Sequence, residues 1–112
     1  MQVSFNGYKA PIKTMWRRGQ LPNVTRGLYG QKLTQENLSL EHLLPVSRGG
    51  LTQMDNLALS TKEMNEKRGN RPLKEVLTKQ QAWDYISQFV HDERMQEYIG
   101  GVYRTFKKLG VL

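Results

Sequence analysis

The chain has 112 residues, which is enough for one domain with a small hydrophobic core. It contains no cysteine, so disulfides, thiolate zinc sites and cysteine nucleophiles are excluded. No apolar run approaches the length of a membrane span, and the first residues lack the apolar stretch of a signal peptide. We therefore expect one domain over residues 1–112 that is soluble, cytoplasmic and not bound to a membrane.

The net charge of +7 is concentrated in the first third of the chain. Residues 1–34 carry six basic residues and no acidic one, and two prolines and four glycines break up any longer periodic pattern. A one-sided basic field attracts polyanions. We predict an irregular basic arm that binds nucleic acid, with aromatic side chains lying against sugars or bases. The basic residues are Lys9, Lys13, Arg17, Arg18, Arg26 and Lys32, and the aromatic ones are Tyr8, Trp16 and Tyr29.

Two short strands and a helix are predicted next, within about thirty residues. Apolar residues alternate over residues 38–44 and Pro45 ends this strand, while residues 56–59 form a second apolar run. The two strands are expected to pair antiparallel. Ser60, with Glu63 three residues later, predicts a capping box for a helix over residues 61–68 that ends at Gly69.

The last third of the chain, residues 73–112, is predicted to be helical. Trp83, Ile86 and Val90 are expected to share a buried face of one helix. A second helix follows the i, i+3, i+4, i+7 pattern through Met95, Tyr98, Ile99, Val102, Tyr103 and Phe106. The fold class is therefore predicted to be α+β, with C-terminal helices covering a small strand–strand–helix unit.

Three polar residues in this central unit do not suit their predicted elements. His42 lies in an apolar strand, Asn56 opens the second strand, and Asn65 lies in the middle of the helix, where asparagine is a poor former. A polar side chain that turns inward needs a partner. A bound cation could be the partner of Asn65.

The segment from residue 38 to residue 72 resembles the HNH endonuclease family, whose fold is a ββα-metal core. The resemblance rests on the order acidic-His (41–42), Pro45, Gly49-Gly50, Asp55-Asn56-Leu57 and Asn65 through Gly69. The spacing of Asn56 and Asn65 from His42 is similar to that in the HNH domain of Cas9-type proteins, and a basic arm before the motif is familiar from small phage HNH proteins. The resemblance implies a bacterial cell or a phage-infected host.

The resemblance implies a metal-dependent endonuclease that hydrolyses DNA phosphodiester bonds. His42 would be the general base, and Asn56 would hold the His42 ring or its loop. Glu41 and Asn65 would be the metal ligands, and their oxygens favour Mg²⁺ or Mn²⁺. Because neighbouring strand residues point to opposite faces, a bulge or a strand end is expected where Glu41 and His42 both reach the site.

The predicted DNA contacts extend from the arm to the helix of the motif. They are Arg17, Arg18, Arg26, Lys62, Lys67, Arg68 and Arg71. One alternative is a DNA-binding protein that does not cut. Another is a packaging or replication accessory that is inactive outside a larger assembly, and the C-terminal helix could also mediate a homodimer.

Overall fold

The computed structural model describes residues 11–112. The fold class is α+β, with five α-helices and a two-stranded antiparallel sheet in the described part of the chain. In chain order the elements are α1 (Pro11–Arg17), β1 (Leu38–His42), β2 (Leu57–Thr61), α2 (Lys62–Arg68), α3 (Leu73–Val76), α4 (Lys79–Ser87) and α5 (Gln96–Lys108).

The two strands pair in one continuous register. Leu38 lies opposite Thr61 at one end of the ladder, and His42 lies opposite Leu57 at the other. No bulge interrupts these five pairs, so adjacent side chains of β1 leave the sheet on opposite faces. β1 stops at His42, but this strand end does not bring Glu41 and His42 to one site as expected, because their side chains leave the sheet on opposite faces.

Helix α2 follows β2 without a loop, and its cap differs from the prediction. The capping residue is Thr61, whose hydroxyl accepts a hydrogen bond from the backbone N–H of Met64 at 3.3 Å. The predicted capping box at Ser60 and Glu63 is wrong, because Ser60 belongs to β2 and its hydroxyl faces the interior. The helix ends as predicted at Gly69, whose N–H donates to the carbonyl of Asn65.

The C-terminal helices cover the sheet through a buried pair of tyrosines. The hydroxyl of Tyr85 on α4 accepts a hydrogen bond from the N–H of Leu59 at 2.9 Å. It also lies 2.9 Å from the hydroxyl of Tyr98 on α5, which donates to the carbonyl of Leu57 at 2.7 Å. Burial raises the pKa of both phenols. The hydrogen-bonded hydroxyls of Tyr85 and Tyr98 therefore attach both helices to the backbone of β2.

The predicted buried face of the first C-terminal helix is partly wrong. Ile86 is buried, but Trp83 and Val90 are 48% and 43% exposed, and Val90 lies beyond the end of α4. The buried residues of this segment are instead Ala82, Tyr85, Ile86 and Phe89. The prediction for α5 holds for most positions, since Tyr98, Ile99, Val102 and Phe106 are buried and Tyr103 is half-buried.

The basic segment is part of the fold from residue 11 onward. It contains helix α1, whose Ile12 is fully buried, so the prediction of an irregular arm is wrong for residues 11–17. The backbone N–H of Leu28 donates to the carbonyl of Leu59 at 2.8 Å, which attaches the segment to β2. The first ten residues of the predicted arm lie outside the described residues.

None of the helices in residues 11–112 is both long enough and apolar enough to span a bilayer.

Candidate functional site

The carboxylate of Glu41 lies in the interior, next to the end of β1. It is 1% exposed. Its Oε1 accepts a hydrogen bond from the hydroxyl of Ser60 at 2.9 Å. Its Oε2 accepts from the hydroxyl of Tyr29 and from Nη1 of Arg68, the latter at 3.0 Å. Burial and the neighbouring Glu41 charge raise the pKa of the Tyr29 phenol well above its ordinary value, which keeps it a donor.

The guanidinium of Arg68 joins α2 to the end of β1. Besides its ion pair with Glu41, it donates from Nη1 to the carbonyl of His42 at 2.7 Å and from Nη2 to the carbonyl of Leu43 at 2.7 Å. Its Nε donates to the carbonyl of Arg71 at 3.0 Å, and the residue is 3% exposed. Arg68 thus fixes the backbone on both sides of the His42–Leu43 peptide bond.

His42 ends β1 on the opposite face from Glu41, and its ring is half-buried. Its Nε2 lies 2.9 Å from the hydroxyl of Thr52. Its Nδ1 makes no hydrogen bond to any residue from 11 to 112. Burial, and secondarily the charge of Arg68, lower the pKa of the imidazole below its ordinary 6.5. The ring is therefore mostly neutral at neutral pH and can accept a proton.

Asn56 closes the loop that follows His42. Its Oδ1 accepts a hydrogen bond from the N–H of Leu44 at 2.8 Å. Its Nδ2 donates to the carbonyls of Leu44 and Leu51, at 3.0 and 2.9 Å. The side chain is 8% exposed and holds both ends of residues 44–51 together. Asn56 thus holds the loop that follows His42, and its side chain makes no hydrogen bond to the imidazole ring.

Asn65 lies on the face of α2 that packs against β1. Its Nδ2 donates to the carbonyl of Leu40 at 2.9 Å and to the hydroxyl of Ser39 at 3.3 Å. It also lines a shallow depression of about 250 Å³ with Ser39, Lys62 and Glu66. Its Oδ1 accepts no hydrogen bond from the described residues. Neither Glu41 nor His42 lines this depression.

The two predicted metal ligands do not form a cation site as they are arranged here. Their oxygens are of the kind that Mg²⁺ and Mn²⁺ prefer. However, both oxygens of Glu41 are taken by internal donors, and one of these donors is a guanidinium that would repel a cation. Across residues 11–112 no group of three or more His, Asp or Glu side chains is placed to hold a metal ion. Of the two predicted ligands, Asn65 is the one whose side-chain oxygen accepts no hydrogen bond from residues 11–112.

The predicted DNA contacts are exposed, with the exception of Arg68. Arg17, Arg18 and Arg26 are exposed on the N-terminal segment. Lys62, Lys67 and Arg71 are exposed on or just after α2. The guanidinium of Arg71 also donates to the carbonyls of Arg68 and Lys67 at the end of α2. Arg68 is buried in the interior, so the structure does not place it on this surface.

Three partners of the site were not expected from the sequence. Tyr29 was predicted to lie against DNA, yet its hydroxyl binds Glu41, and Trp16 likewise donates from its indole N–H to the carbonyl of Val24 at 2.7 Å. Ser60 was predicted to cap a helix, yet its hydroxyl binds Glu41, and Thr52, which no pattern singles out, binds the His42 ring. A polar residue at an inward position of a strand is the one signal that Ser60 offers.

Comparison with family models, with curated proteins and with solved structures finds no match for this chain.

Proposed function

We propose that this chain is a DNA endonuclease of the HNH type, with His42 as the general base. The observation that carries the proposal is the state of His42. Its imidazole is half-buried, its pKa is lowered, and Thr52 binds one of its nitrogens. A neutral, oriented imidazole at a partly open position is what proton abstraction from water requires at neutral pH. The motif around it and the excess of positive charge favour DNA as the substrate.

In the proposed reaction, Nε2–H of His42 donates to the hydroxyl of Thr52 and Nδ1 carries the lone pair. Nδ1 takes a proton from the water that attacks the scissile phosphate. The water oxygen bonds to phosphorus as the P–O3′ bond breaks, and the leaving 3′ oxygen takes a proton from solvent, which leaves a 5′-phosphate and a 3′-hydroxyl end. Arg68 acts as a positioning residue, because it holds the His42 and Leu43 carbonyls and does not reach the surface.

We further propose that the activity requires Mg²⁺ or Mn²⁺. The resemblance and the oxygen chemistry of Glu41 and Asn65 support it. The ion pair between Glu41 and Arg68 opposes it. Calorimetric titration of Mn²⁺ into the wild-type protein and into Asn65→Ala tests the requirement. Equal affinity for both proteins would remove Asn65 as a ligand.

Digestion of supercoiled plasmid tests the proposed activity. We expect nicking or cutting in Mg²⁺ or Mn²⁺, loss of activity in EDTA, and a decrease of about 10²–10⁴-fold in His42→Ala. His91→Ala is the matched control, because His91 is the second histidine of the chain and is exposed. Wild-type cleavage by a folded His42→Ala protein would overturn the mechanism.

A second candidate function is a DNA-binding accessory protein on the same fold that does not cut. The observation in its favour is the buried ion pair between Glu41 and Arg68, which occupies the carboxylate that a nuclease of this type would need. Tight duplex binding without cleavage in Mg²⁺ and in Mn²⁺ would favour this function. Cleavage that appears only when a partner protein is added would point to an accessory role in packaging or replication.

A further inference from the structure

Two exposed aliphatic side chains project from the loop next to His42. In the loop of residues 43–56, which we call the β1–β2 loop, Val46 is 62% exposed and Leu51 is 60% exposed. These are the two most exposed large apolar residues among those that the structure describes. Leu51 directly precedes Thr52, the residue that binds the His42 ring. Both side chains are thus presented to solvent, and Leu51 is the chain neighbour of the residue that binds the His42 ring.

The backbone of the β1–β2 loop is fixed, so this exposure is built into the fold. The carbonyl of Pro45 accepts hydrogen bonds from the N–H groups of Arg48 and Gly50, both at 2.9 Å. A Cβ at Gly50 would lie 1.8 Å from the carbonyl oxygen of Leu44, so only glycine allows this close approach. Asn56 holds the two ends of the loop, as described above.

Positive charge surrounds the same loop. Arg48 is exposed, and its Nε donates to the carbonyl of Asn70 at 2.7 Å, which ties the loop to the segment after α2. Lys67 and Arg71 are exposed on either side of Asn70. Exposed apolar side chains on a loop that also carries and contacts a basic segment match duplex DNA, where phosphates flank the sugars and base edges of a groove.

A protein partner fits this surface less well. Two aliphatic side chains expose on the order of 200 Å², whereas a stable protein interface buries about 800 Å² on each partner. A single base step of DNA, in contrast, can accept one or two aliphatic side chains as a wedge.

We infer that Leu51 and Val46 form an apolar wedge that enters a groove of duplex DNA and unstacks a base step next to the phosphate facing His42. This inference rests on the proposed function for its substrate. Val46 contacts the sugars beside the step, and Leu51 occupies the step itself. The wedge fixes which phosphate lies opposite His42, so it sets the position of the cut without reading base edges by hydrogen bonds.

The test is fluorescence of short duplexes that carry 2-aminopurine at successive steps, bound to the full chain in EDTA. Wild type should raise the emission, because unstacking removes quenching. The paired variant Val46→Ser/Leu51→Ser should lose most of this rise and weaken duplex affinity by about 10-fold. Leu51→Met should retain the signal. Val90→Ser, which removes an exposed valine from another part of the chain, is the control and should behave like wild type.

The outcomes separate this inference from the proposed function. A paired variant that binds DNA and raises the emission as wild type does would overturn the wedge, whether or not the protein cuts. Wild-type binding with no rise in emission at any step would overturn it as well. If neither Mg²⁺ nor Mn²⁺ supports cleavage but the wedge signal is present and depends on Leu51, the wedge stands and the nuclease proposal fails.

Discussion

At the scale of single residues, the adjacent side chains of Glu41 and His42 lie in different environments on the two faces of one strand. The strand pairs regularly, so the two side chains leave on opposite faces. Glu41 enters a buried network of three donors, and His42 reaches a partly open face beside Thr52. The backbone between them is held by Arg68, so the position of the imidazole depends on an ion pair that lies behind it.

The first prediction concerns the hydrogen bond between Thr52 and His42. Thr52→Val keeps the shape of the side chain but removes the hydroxyl 2.9 Å from Nε2. One hydrogen bond contributes about 0.5–1.5 kcal/mol, so the single-turnover nicking rate should fall by up to about 10-fold. Thr52→Ser restores the hydroxyl and should retain the rate. A full rate in Thr52→Val would show that the bond does not orient the base.

The second prediction concerns the pH dependence of the reaction. A general base must be neutral, and the fraction of neutral imidazole rises with pH. Because burial and the charge of Arg68 lower the pKa of His42 below 6.5, the acid limb of the rate profile should have its midpoint below pH 6.5. The rate should then stay level through neutral pH. Single-turnover rates between about pH 5 and pH 8 measure this, and a midpoint above 6.5 would contradict it.

The third prediction concerns the ion pair between Glu41 and Arg68. Arg68→Met leaves a buried carboxylate without its counter-ion and should lower the free energy of unfolding by about 3–5 kcal/mol. Glu41→Gln in the same protein removes that charge and should restore part of the loss. Urea unfolding of the wild type, the two single variants and the pair measures the coupling. Additive effects would mean that the two side chains do not interact.

The exposed ion pair between Asp92 and Arg94 gives a control for this cycle. Its two side chains are 2.8 Å apart, but solvent screens them. The corresponding variants Asp92→Asn and Arg94→Met should change the stability little.

At the scale of elements, the periodicity of apolar residues predicted the positions of the strands and helices better than the contacts between them. The positions of β1, β2 and α2 followed from local alternation and a terminal glycine, and each strand was misplaced by at most two residues at either end. Helix α1 was not predicted, because it has only seven residues and the prolines and glycines in this segment interrupt any helical pattern. In α4 the apolar pattern predicted that Trp83 is buried, although Tyr85, two residues later, is the residue that contacts the sheet.

The site was only partly predictable for the same reason. His42, Asn56 and Asn65 stood out because they contradict local propensity. The partners of Glu41 did not, since Tyr29 and Arg68 lie 12 and 27 positions away from it and only the tertiary fold brings the three residues together. A sequence pattern indicates that a polar residue needs a partner, but it does not indicate which residue supplies it.

The fourth prediction concerns the attachment of the C-terminal helices. Tyr98→Phe leaves the buried carbonyl of Leu57 without its donor and the Tyr85 hydroxyl without its neighbour. The free energy of unfolding should fall by about 1–3 kcal/mol. Tyr103→Phe on the same helix is the control, because Tyr103 is half-buried and no hydrogen bond of its hydroxyl to residues 11–112 is seen. Equal stability of Tyr98→Phe and wild type in thermal unfolding would mean that the hydroxyl chain does not hold the helices.

At the scale of the whole molecule, the distribution of charge bears on the proposed DNA binding and the proposed chemistry differently. Residues 1–34 carry six of the seven excess positive charges and no carboxylate side chain or histidine. Arg17, Arg18 and Arg26 are exposed in the structure, and none of them hydrogen-bonds to His42. The segment should therefore contribute to duplex affinity and little to the rate of the bound complex.

The fifth prediction tests this separation. Arg17→Ala/Arg18→Ala should weaken duplex binding and reduce the slope of log affinity against log salt by up to about 2 units. The single-turnover rate with saturating protein should stay near that of wild type. Lys107→Ala/Lys108→Ala removes the same charge from the end of α5 and is the control. An unchanged slope together with a collapsed rate would mean that the segment shapes the reaction centre.

The ion pair between Glu41 and Arg68 also limits how this sequence can diverge. A lineage that replaced either residue alone would keep an uncompensated charge in its interior, at a cost comparable to much of a small domain's stability. Selection should therefore remove such intermediates unless both positions change in close succession. Among descendants of this sequence, positions 41 and 68 should covary, either as an acid with a base or as two apolar residues, although they lie 27 positions apart in the sequence.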